Sequence, residues 1–471
     1  MDAFGQHRTA LRAYRLGLAQ LVCPGRHTLT NLLCTCGREL RDWSADYRLF
    51  SADRWEPERL FRPVVRGAVA MSPESSVFVT ALDDTHLRKT GRKTPGVGYR
   101  RDPMSPPFHC NLIRAQRFIQ LSAMLSPDSP PGPGRALPIR YVHAPPVPKP
   151  PRTAPEEQRK TYRARRRQEN LNTRAVGILH EIRQELDQHH DARTRMLITG
   201  VDGSYTNKTV LKNLPERTVL IGRVRKDAKL FHPPAPRDAS IRGPKRKYGD
   251  PAPTPEALRQ NLSIPWQPVQ AYAVGKVHTF RIKTIAPVLW KKAGYALPLR
   301  LVVIAPVGYR LRKGSKRLYR QPAYLICTDT DLPLGRLLQY YIWRWDIEVN
   351  HRDEKQLIGV GEAQVRSPRS VARQPAFAVA SYSLLLLAAA RAFGVDALRT
   401  SLPLPKWRSD GQRARISTQE LIQQLRQEVW GDALDRLVEN CDHFAPLTEA
   451  DTKSAQFTLP LASAVVYAAT G

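Results

Sequence analysis

Between residues 341 and 355, four side chains that suit phosphate and metal chemistry recur at helical spacing. They are Tyr341, Arg344, Glu348 and Lys355. On a helix of about 3.6 residues per turn, gaps of three, four and seven residues place them along one stripe. Apolar residues spaced by four, three and four form a second stripe, made of Leu338, Ile342, Trp345 and Val349. The pattern predicts one helix, anchored on its apolar side, that presents an acid, two cations and a phenol on another side.

Two groups of acids follow apolar runs earlier in the chain. The run Val77–Leu82 contains β-branched residues and leads into Asp83 and Asp84, and the run Met196–Val201 leads into Asp202. Such runs predict buried strands. We therefore expect each strand to end at a carboxylate.

Separated carboxylates suit a divalent cation in phosphoryl transfer. Mg²⁺ takes hard oxygen ligands and keeps several waters, so such a site offers it a few carboxylates and the phosphate oxygens of the substrate. Two ions about 3.5 to 4 Å apart can activate a water and stabilise the leaving oxygen. Arg suits bidentate contact with phosphate and Lys suits a point-charge contact. The predicted chemistry is metal-dependent cleavage of a phosphodiester.

The Tyr-x2-Arg-x3-Glu-x6-Lys pattern resembles the signature of the DDE transposases of bacterial insertion sequences, a cut-and-paste family. The resemblance implies an α/β fold: a ribonuclease-H-like mixed sheet flanked by helices, interrupted by a β-rich insertion, with helical N- and C-terminal regions. It also implies that Asp84, Asp202 and Glu348 hold two Mg²⁺ ions, for which Mn²⁺ substitutes. The residues that would contact phosphate are then Tyr341, Arg344 and Lys355.

The choice of the first carboxylate is open between two neighbours. In the family that is resembled, the first aspartate directly precedes a Thr, and this selects Asp84 over Asp83. Strand alternation, however, turns the two side chains to opposite faces of a sheet. Asp83 therefore remains the alternative ligand.

The resemblance further implies a reaction on double-stranded DNA. The protein would bind the ends of an insertion sequence, cleave them through a hairpin intermediate and join them to target DNA, as a homodimer in the DNA complex. Hairpin-forming members hold a flipped base with a Trp that Trp345 matches, and Trp290 is a candidate second wall. A place for Trp345 in the apolar stripe is the competing interpretation.

The charge of the chain supports a nucleic-acid partner independently. Lys and Arg number 74 against 42 Asp and Glu, which gives a net charge of +32. Such an excess attracts polyanions. A basic cluster of Arg223, Arg225 and Lys226 is a candidate contact with the DNA backbone. The sequence has neither an apolar run of about 18 residues nor a signal-like N-terminus. We therefore expect no membrane partner, and we expect a bacterial cytoplasmic, nucleoid-associated protein.

The order of the predicted elements divides the chain into successive regions. They are a helical N-terminal DNA-binding region at 1–72, the first part of the catalytic core at 73–225 with a Pro-rich loop at 126–155, a β-rich insertion at 226–330, the Glu helix at 331–370 and a helical C-terminal region at 371–471. Finer expectations are an apolar helix face at Leu11, Tyr14, Leu18 and Leu21, a hairpin at 108–125, one polar helix at 156–190, and insertion strands at 269–274, 277–285 and 299–307.

Two other functions stay open at this point. A metal-dependent nuclease or resolvase on the same fold would share the three acids but would not join DNA ends to a target. A non-catalytic, transposase-derived repressor would bind DNA without cutting it. The presence of all three acids argues against the repressor.

Overall fold

A computed structural model describes the protein at residues 3–72, 77–91, 93–102, 105, 111–126, 130–236, 246–294, 297–310, 314–394 and 416–439. The chain forms two compact units, Met1–Arg415 and Ile416–Gly471. In the second unit, the described segment is a helix at Thr418–Glu439.

The helices of the first unit are α1 (His7–Val22), α2 (Leu29–Thr35), α3 (Ser44–Ser51), α4 (Pro57–Met71), α5 (Glu156–Gln168), α6 (Leu171–Gln188), α7 (Lys208–Lys212), α8 (Pro255–Gln260), α9 (Leu334–Trp343), α10 (Asp346–Gln356) and α11 (Ser370–Phe393). The strands are β1 (Val77–Arg88), β2 (Gly98–Arg101), β3 (Leu112–Leu125), β4 (Arg135–His143), β5 (Met196–Val201), β6 (Thr218–Arg223), β7 (Leu230–Phe231), β8 (Gln267–Ala273), β9 (Lys276–Trp290), β10 (Leu299–Ile304), β11 (Gly308–Tyr309), β12 (Leu318–Tyr319) and β13 (Ala323–Cys327).

The predicted α/β class and ribonuclease-H-like core are confirmed by the main sheet. Its strand order is β2-β3-β1-β5-β6-β13-β10-β9-β7, with β4 paired to β3 and β8 paired to β9. Strand β3 pairs antiparallel with both β4 and β1, whereas β5 pairs parallel with both β1 and β6. This arrangement brings the end of β5 beside the middle of β1, at Leu82 and Val201, although these residues are more than 100 positions apart in the chain.

Most strands between residues 226 and 330 join the main sheet, and only β11 and β12 form a small two-stranded sheet among the described residues. The strands expected in this region appear close to their predicted positions, but β13 pairs antiparallel with β6, and β10 and β9 follow it in the same sheet. The polar segment that was expected to be one helix at 156–190 is two, α5 and α6. The second begins at Asn170, whose side chain accepts a hydrogen bond from the Thr173 backbone N–H, an N-cap that separates the two helices.

Two predictions near the first strand were wrong. Of the expected hairpin at 108–125, the described part from residue 112 is the single strand β3, and residues 106–110 lie outside the described residues. The Pro-rich segment 126–155 contains β4, which supplies the antiparallel partner of β3. Pro138 is tolerated because β4 lies at the edge of the sheet and the register shifts beside this residue.

Helix α11 packs against several elements at once. It contacts β4, α4, α1 and α3, and Arg373 on it forms an ion pair with Asp53. By length and composition alone α11 could cross a membrane, yet 67% of its most apolar window is buried inside the protein. The apolar side chains of α11, Phe377 and Leu386 among them, are therefore part of the core of the first unit.

The apolar face predicted for α1 was wrong. Leu11, Tyr14 and Leu18 are exposed, and Leu21 alone of the four is buried. Ala13, Leu16 and Ala19 face the interior instead, where α1 packs on α11 and α2. A search for large apolar residues at helical spacing therefore finds the wrong face.

Candidate active site

The end of β5 brings two aspartates to the same level of the sheet. In the parallel ladder, Leu82 of β1 is paired with Val201 of β5, and each is followed directly by an acid, Asp83 and Asp202. The prediction that β5 ends at its acid is confirmed. The prediction for β1 was wrong, because β1 continues to Arg88 through antiparallel pairing with β3.

Asp83 lies in a crowded anionic environment. Burial, together with the nearby charge of Asp202, raises the pKa of Asp83 to about 7. One oxygen of Asp83 accepts a hydrogen bond from the Asp84 backbone N–H at 2.8 Å, and the other lies 3.5 Å from a guanidinium nitrogen of Arg344. Without further positive charge, Asp83 therefore holds a proton more readily than an ordinary carboxyl.

Asp84 has different partners. Its Oδ2 accepts a hydrogen bond from Arg117 Nε at 2.6 Å, and its Oδ1 accepts one from the Tyr205 hydroxyl at 2.8 Å. Both oxygens are thus occupied by groups of the protein. Of the two neighbours left open by the sequence, Asp83 is the carboxylate that lies beside Asp202, whereas the sequence had favoured Asp84. The reason is the alternation of side chains along β1, because Asp83 and not Asp84 faces Arg344.

The segment predicted as a single helix is two helices joined by a tight turn. Helix α9 ends at Trp343 and α10 begins at Asp346. At the junction, the backbone N–H groups of Arg344 and Trp345 donate to the carbonyls three residues earlier, instead of four. This 3₁₀-type spacing changes the phase of the helix. The single helix is therefore wrong, and so is the apolar stripe where it includes Trp345, whereas Tyr341, Arg344 and Glu348 still lie together.

Arg344 connects the two acidic elements. One guanidinium nitrogen faces Asp83, and the other lies 3.1 Å from Glu348 Oε1, an ion pair one turn along the chain. The approach is close because β5 carries Gly200 here, where a Cβ atom would lie 3.3 Å from the Arg344 Cβ. The Arg344 side chain is 10% exposed. Its guanidinium therefore occupies a position where two carboxylates stabilise positive charge.

The other two residues of the predicted signature, Tyr341 and Lys355, lie at different distances from the Arg344 guanidinium. The Tyr341 ring lies under the Arg344 guanidinium, 5.8 Å from its centroid. Burial raises the pKa of Tyr341, and the charges of Arg344 and Arg223 oppose the increase, so Arg223 lies nearby. Lys355 is farther along α10 beside β1, where burial, Arg117 and Lys355 lower the pKa of His86.

Two tryptophans of the predicted DNA-contact set have opposite environments. Trp345 is 60% exposed at the α9–α10 junction, so its predicted place in the apolar stripe was wrong. Trp343 takes that place: it is buried and its indole N–H donates to the Gly132 carbonyl at 3.0 Å. Trp290, at the end of β9, is only 7% exposed. The structure thus leaves Trp345 accessible to a base and corrects the assignment of Trp290.

The basic cluster after β6 is on the surface. Arg223, Arg225 and Lys226 are all exposed. Arg225 forms an ion pair with Asp227 at 2.9 Å, which offsets its charge, whereas Arg223 extends from the end of β6 toward the Tyr341 side. Of the three, Arg223 is the one that links the cluster to the carboxylates.

The donor chemistry of the site fits a divalent cation. Among the residues that the structure describes, no group of three or more His, Cys, Asp or Glu side chains stands close enough to hold a metal ion. However, Asp83, Asp202 and Glu348 offer hard carboxylate oxygens, and a bound cation would offset both the burial and the charge of Asp202 that raise the pKa of Asp83. Asp202 is fixed by Ser204, whose backbone N–H and hydroxyl both donate to its Oδ1.

Residues 1–285 match the family model described as DDE superfamily endonuclease. This match covers more than half of the chain. The chain belongs to the DDE endonuclease superfamily. No curated protein matches it.

The DDE family match includes both aspartate strands but ends before Glu348. Endonucleases of this superfamily typically use divalent metals and act on DNA. The assignment of the third carboxylate thus depends on the α10 geometry. Sequence reasoning missed Arg117, Tyr205 and Ser204, which hold the aspartates in place. The only available signal was for Ser204, because Asp-Gly-Ser favours a turn in which the Asp accepts local hydrogen bonds.

Proposed function

We propose that this DDE endonuclease is a transposase of the Tyr-Arg-Glu-Lys type. It would bind the ends of an insertion sequence, cleave them and join them to target DNA. The observation that best supports this proposal is the bridge that Arg344 makes between Asp83 and Glu348, beside Asp202. Asp83 and Glu348 each lie within ion-pair distance of the same guanidinium, which supports a shared role for the signature helix and the strand acids.

In the proposed mechanism, Asp83, Asp202 and Glu348 hold divalent ions, with Mg²⁺ as the expected ion and Mn²⁺ as a substitute. When bound, such ions supply an activated water and stabilise the developing charge on the leaving 3′ oxygen. Arg344, supported by the Tyr341 ring, would move from the carboxylates to the scissile phosphate. Lys355 would contact a phosphate farther along the strand.

DNA binding in the proposal follows from charge and exposure. The net charge of +32 supplies a long-range attraction to duplex DNA. Arg223 and Lys226 are exposed cations that would contact the backbone near the site. The N-terminal helices within residues 1–72 are proposed to contribute a further DNA contact, and a homodimer is proposed to hold the two transposon ends. A bacterial cytoplasmic, nucleoid-associated location belongs to the same proposal.

Strand transfer separates a transposase from a nuclease. The purified protein is incubated with Mg²⁺, a labelled duplex that carries the end of its element, and a supercoiled plasmid. We expect cleavage at the element boundary and covalent joining of the labelled 3′ end to the plasmid. Glu348→Gln is the control, and it should abolish both products. Cleavage with no joined product under conditions that support cutting would make the protein a nuclease.

The hairpin route depends on Trp345. Closing a DNA hairpin bends one strand tightly, and extrusion of a base costs a few kcal/mol in lost stacking. An indole that receives the base returns about 1 to 3 kcal/mol. Because Trp345 is 60% exposed beside Arg344, its ring is available for this contact.

We expect Trp345→Ala to leave first-strand nicking intact and to lower hairpin formation by one to two orders of magnitude, since about 1.4 kcal/mol corresponds to a factor of ten. Both products are resolved on a denaturing gel. Trp345→Phe retains an aromatic face and should recover most of the hairpin product. Equal loss of nicking and hairpin formation in the Ala variant would exclude a base-holding role.

A further inference from the structure

A basic cavity lies on the Asp84 side of β1, away from the three carboxylates. It has a volume of about 450 Å³ and is bounded by the ends of β2 and β4 and by helix α5. Its walls include Arg100, Arg117, Lys149, Tyr162 and Arg166. The volume falls in the range of small-ligand sites. The cavity can therefore accommodate a group of the size of one nucleotide.

Positive charge in the cavity is poorly compensated. Four cations line it, of which Arg117 pairs with Asp84, and among the described walls the one acid, Glu169, already pairs with Arg165 and Arg174 outside the cavity. Among the described residues, no carboxylate forms an ion pair with Arg100, Lys149 or Arg166. Arg100 Nε is buried and has no hydrogen-bond partner in the described part of the chain. A buried donor without a partner is costly, and an incoming anion would satisfy it.

Neighbouring groups report the same excess of positive charge. Burial, Arg174 and Arg100 lower the pKa of His143, beside the cavity, to about 4. Burial and the charge of Arg117 lower the pKa of Arg100 itself. Both shifts show cations held close together, an arrangement that a bound phosphate stabilises.

Helix α5 supplies one wall and has an unusual composition. No residue of α5 is buried. A helix that is polar on all sides depends on charge pairs or on a partner for its stability. Arg163 and Arg165 pair with Glu156 and Glu169, whereas Tyr162 and Arg166, one turn apart, face the cavity. This helix therefore presents an aromatic ring and an unpaired guanidinium to the same space.

We propose that this cavity binds one nucleotide of an unpaired DNA strand, with its phosphate on Arg100, Arg117 and Arg166 and its base against Tyr162. The lining also includes Pro145 and Pro146, which offer an apolar surface to the base. An aromatic ring accepts any base by stacking, and a groove of cations follows the backbone. Arg117 links the cavity to β1 through Asp84, so a strand held here would lie next to the catalytic strand.

The test measures binding in the presence of a chelator, so that it does not depend on cleavage. A fluorescent single-stranded oligonucleotide of 12 nucleotides is titrated against Arg166→Gln and against Arg100→Gln/Arg166→Gln. We expect affinity to fall by about tenfold in the single variant and further in the double variant. Arg166 is exposed, so the single variant should fold normally. The matched control, Arg163→Gln, removes one charge of the same helix outside the cavity and should change affinity by less than about threefold.

Three outcomes would overturn the proposal. One is an equal loss of affinity in the control, because it would show that only overall charge matters. Another is an equal loss for a duplex of the same length, because the strand would then not need to be unpaired. The third is displacement of the oligonucleotide by a deoxynucleoside monophosphate at the same concentration, which would make the cavity a site for free nucleotide. Tyr162→Ala should weaken oligonucleotide binding, and Tyr162→Phe should restore it.

Discussion

The two faces of β1 differ in what they do with an aspartate. On one face, Asp83 stands beside Asp202 and Arg344, and its pKa is raised to about 7 by burial and by the charge of Asp202. On the other face, Asp84 is fully hydrogen-bonded by Arg117 and Tyr205 and leads to a basic cavity. A buried acid that lies next to a second acid suits a bound cation. An acid whose two oxygens both accept hydrogen bonds from the protein instead stabilises the local structure. Adjacent residues of one type thus have separable roles, which substitutions can distinguish.

The largest expected difference is in catalysis. Asp83→Asn should lower metal-dependent cleavage by about a thousandfold or more, because the leaving oxygen loses the charge stabilisation that a bound ion supplies. Asp84→Asn should retain cleavage within about tenfold, since an amide still accepts one hydrogen bond. Rates are measured on an element-end duplex with both variants shown to be folded by circular dichroism. A larger loss in Asp84→Asn would restore Asp84 as the first ligand.

The second difference is in the pH dependence of stability. The folded-state pKa of Asp83 is raised from 3.8 to about 7, so between these values the folded state holds more protons than the unfolded state. Stability should therefore fall as pH rises from about 4 to about 7. With a chelator present, Asp83→Asn should remove this decline and be more stable than the native protein at pH 8, by about 2 to 4 kcal/mol.

Urea unfolding across the pH range measures this effect. Asp84→Asn is the matched comparison, and it should keep the decline although its overall stability is lower. If Asp83→Asn kept the full fall of stability with pH and Asp84→Asn lost it, Asp84 and not Asp83 would be the carboxyl with the raised pKa.

The smallest expected difference concerns the groups that hold the two acids. Tyr205→Phe removes the hydroxyl that donates to Asp84 and should lower the free energy of unfolding by about 1 to 2 kcal/mol, with cleavage nearly unchanged. Ser204→Ala removes a donor to Asp202 and should lower cleavage by about tenfold with less effect on stability. Unfolding and cleavage are measured on both variants. A greater loss of cleavage in Tyr205→Phe than in Ser204→Ala would contradict the division of roles.

Local pattern was enough to predict the strands that carry β-branched residues, and the resemblance of the Tyr-Arg-Glu-Lys pattern was enough to predict the class of fold. The run before Asp202 is buried in the middle of a parallel sheet, and such strands are recognisable because both faces are apolar. Long-range pairing was not predictable. Nothing in residues 299–327 indicates that β13 pairs with β6, because pairing partners depend on the whole sheet.

Two local errors have a common cause in assumed regularity. The stripe drawn through Trp345 used one period for residues 338–349, and the tight turn at Arg344 shifted the register so that Trp343 is buried and Trp345 is exposed. The choice of Asp84 used a sequence neighbour, Thr85, whereas orientation in a strand is decided by the face that packs on the core. In both places a shift of one or two residues changes the assignment completely.

Metal binding tests the central claim most directly, because it needs neither DNA nor turnover. Mn²⁺ binding to the native protein, Asp83→Asn and Asp84→Asn is followed by electron paramagnetic resonance at one pH above 7. The account predicts that Asp84→Asn binds Mn²⁺ as the native protein does and that Asp83→Asn binds it at least about tenfold more weakly. Native affinity in Asp83→Asn together with weakened binding in Asp84→Asn would contradict the account.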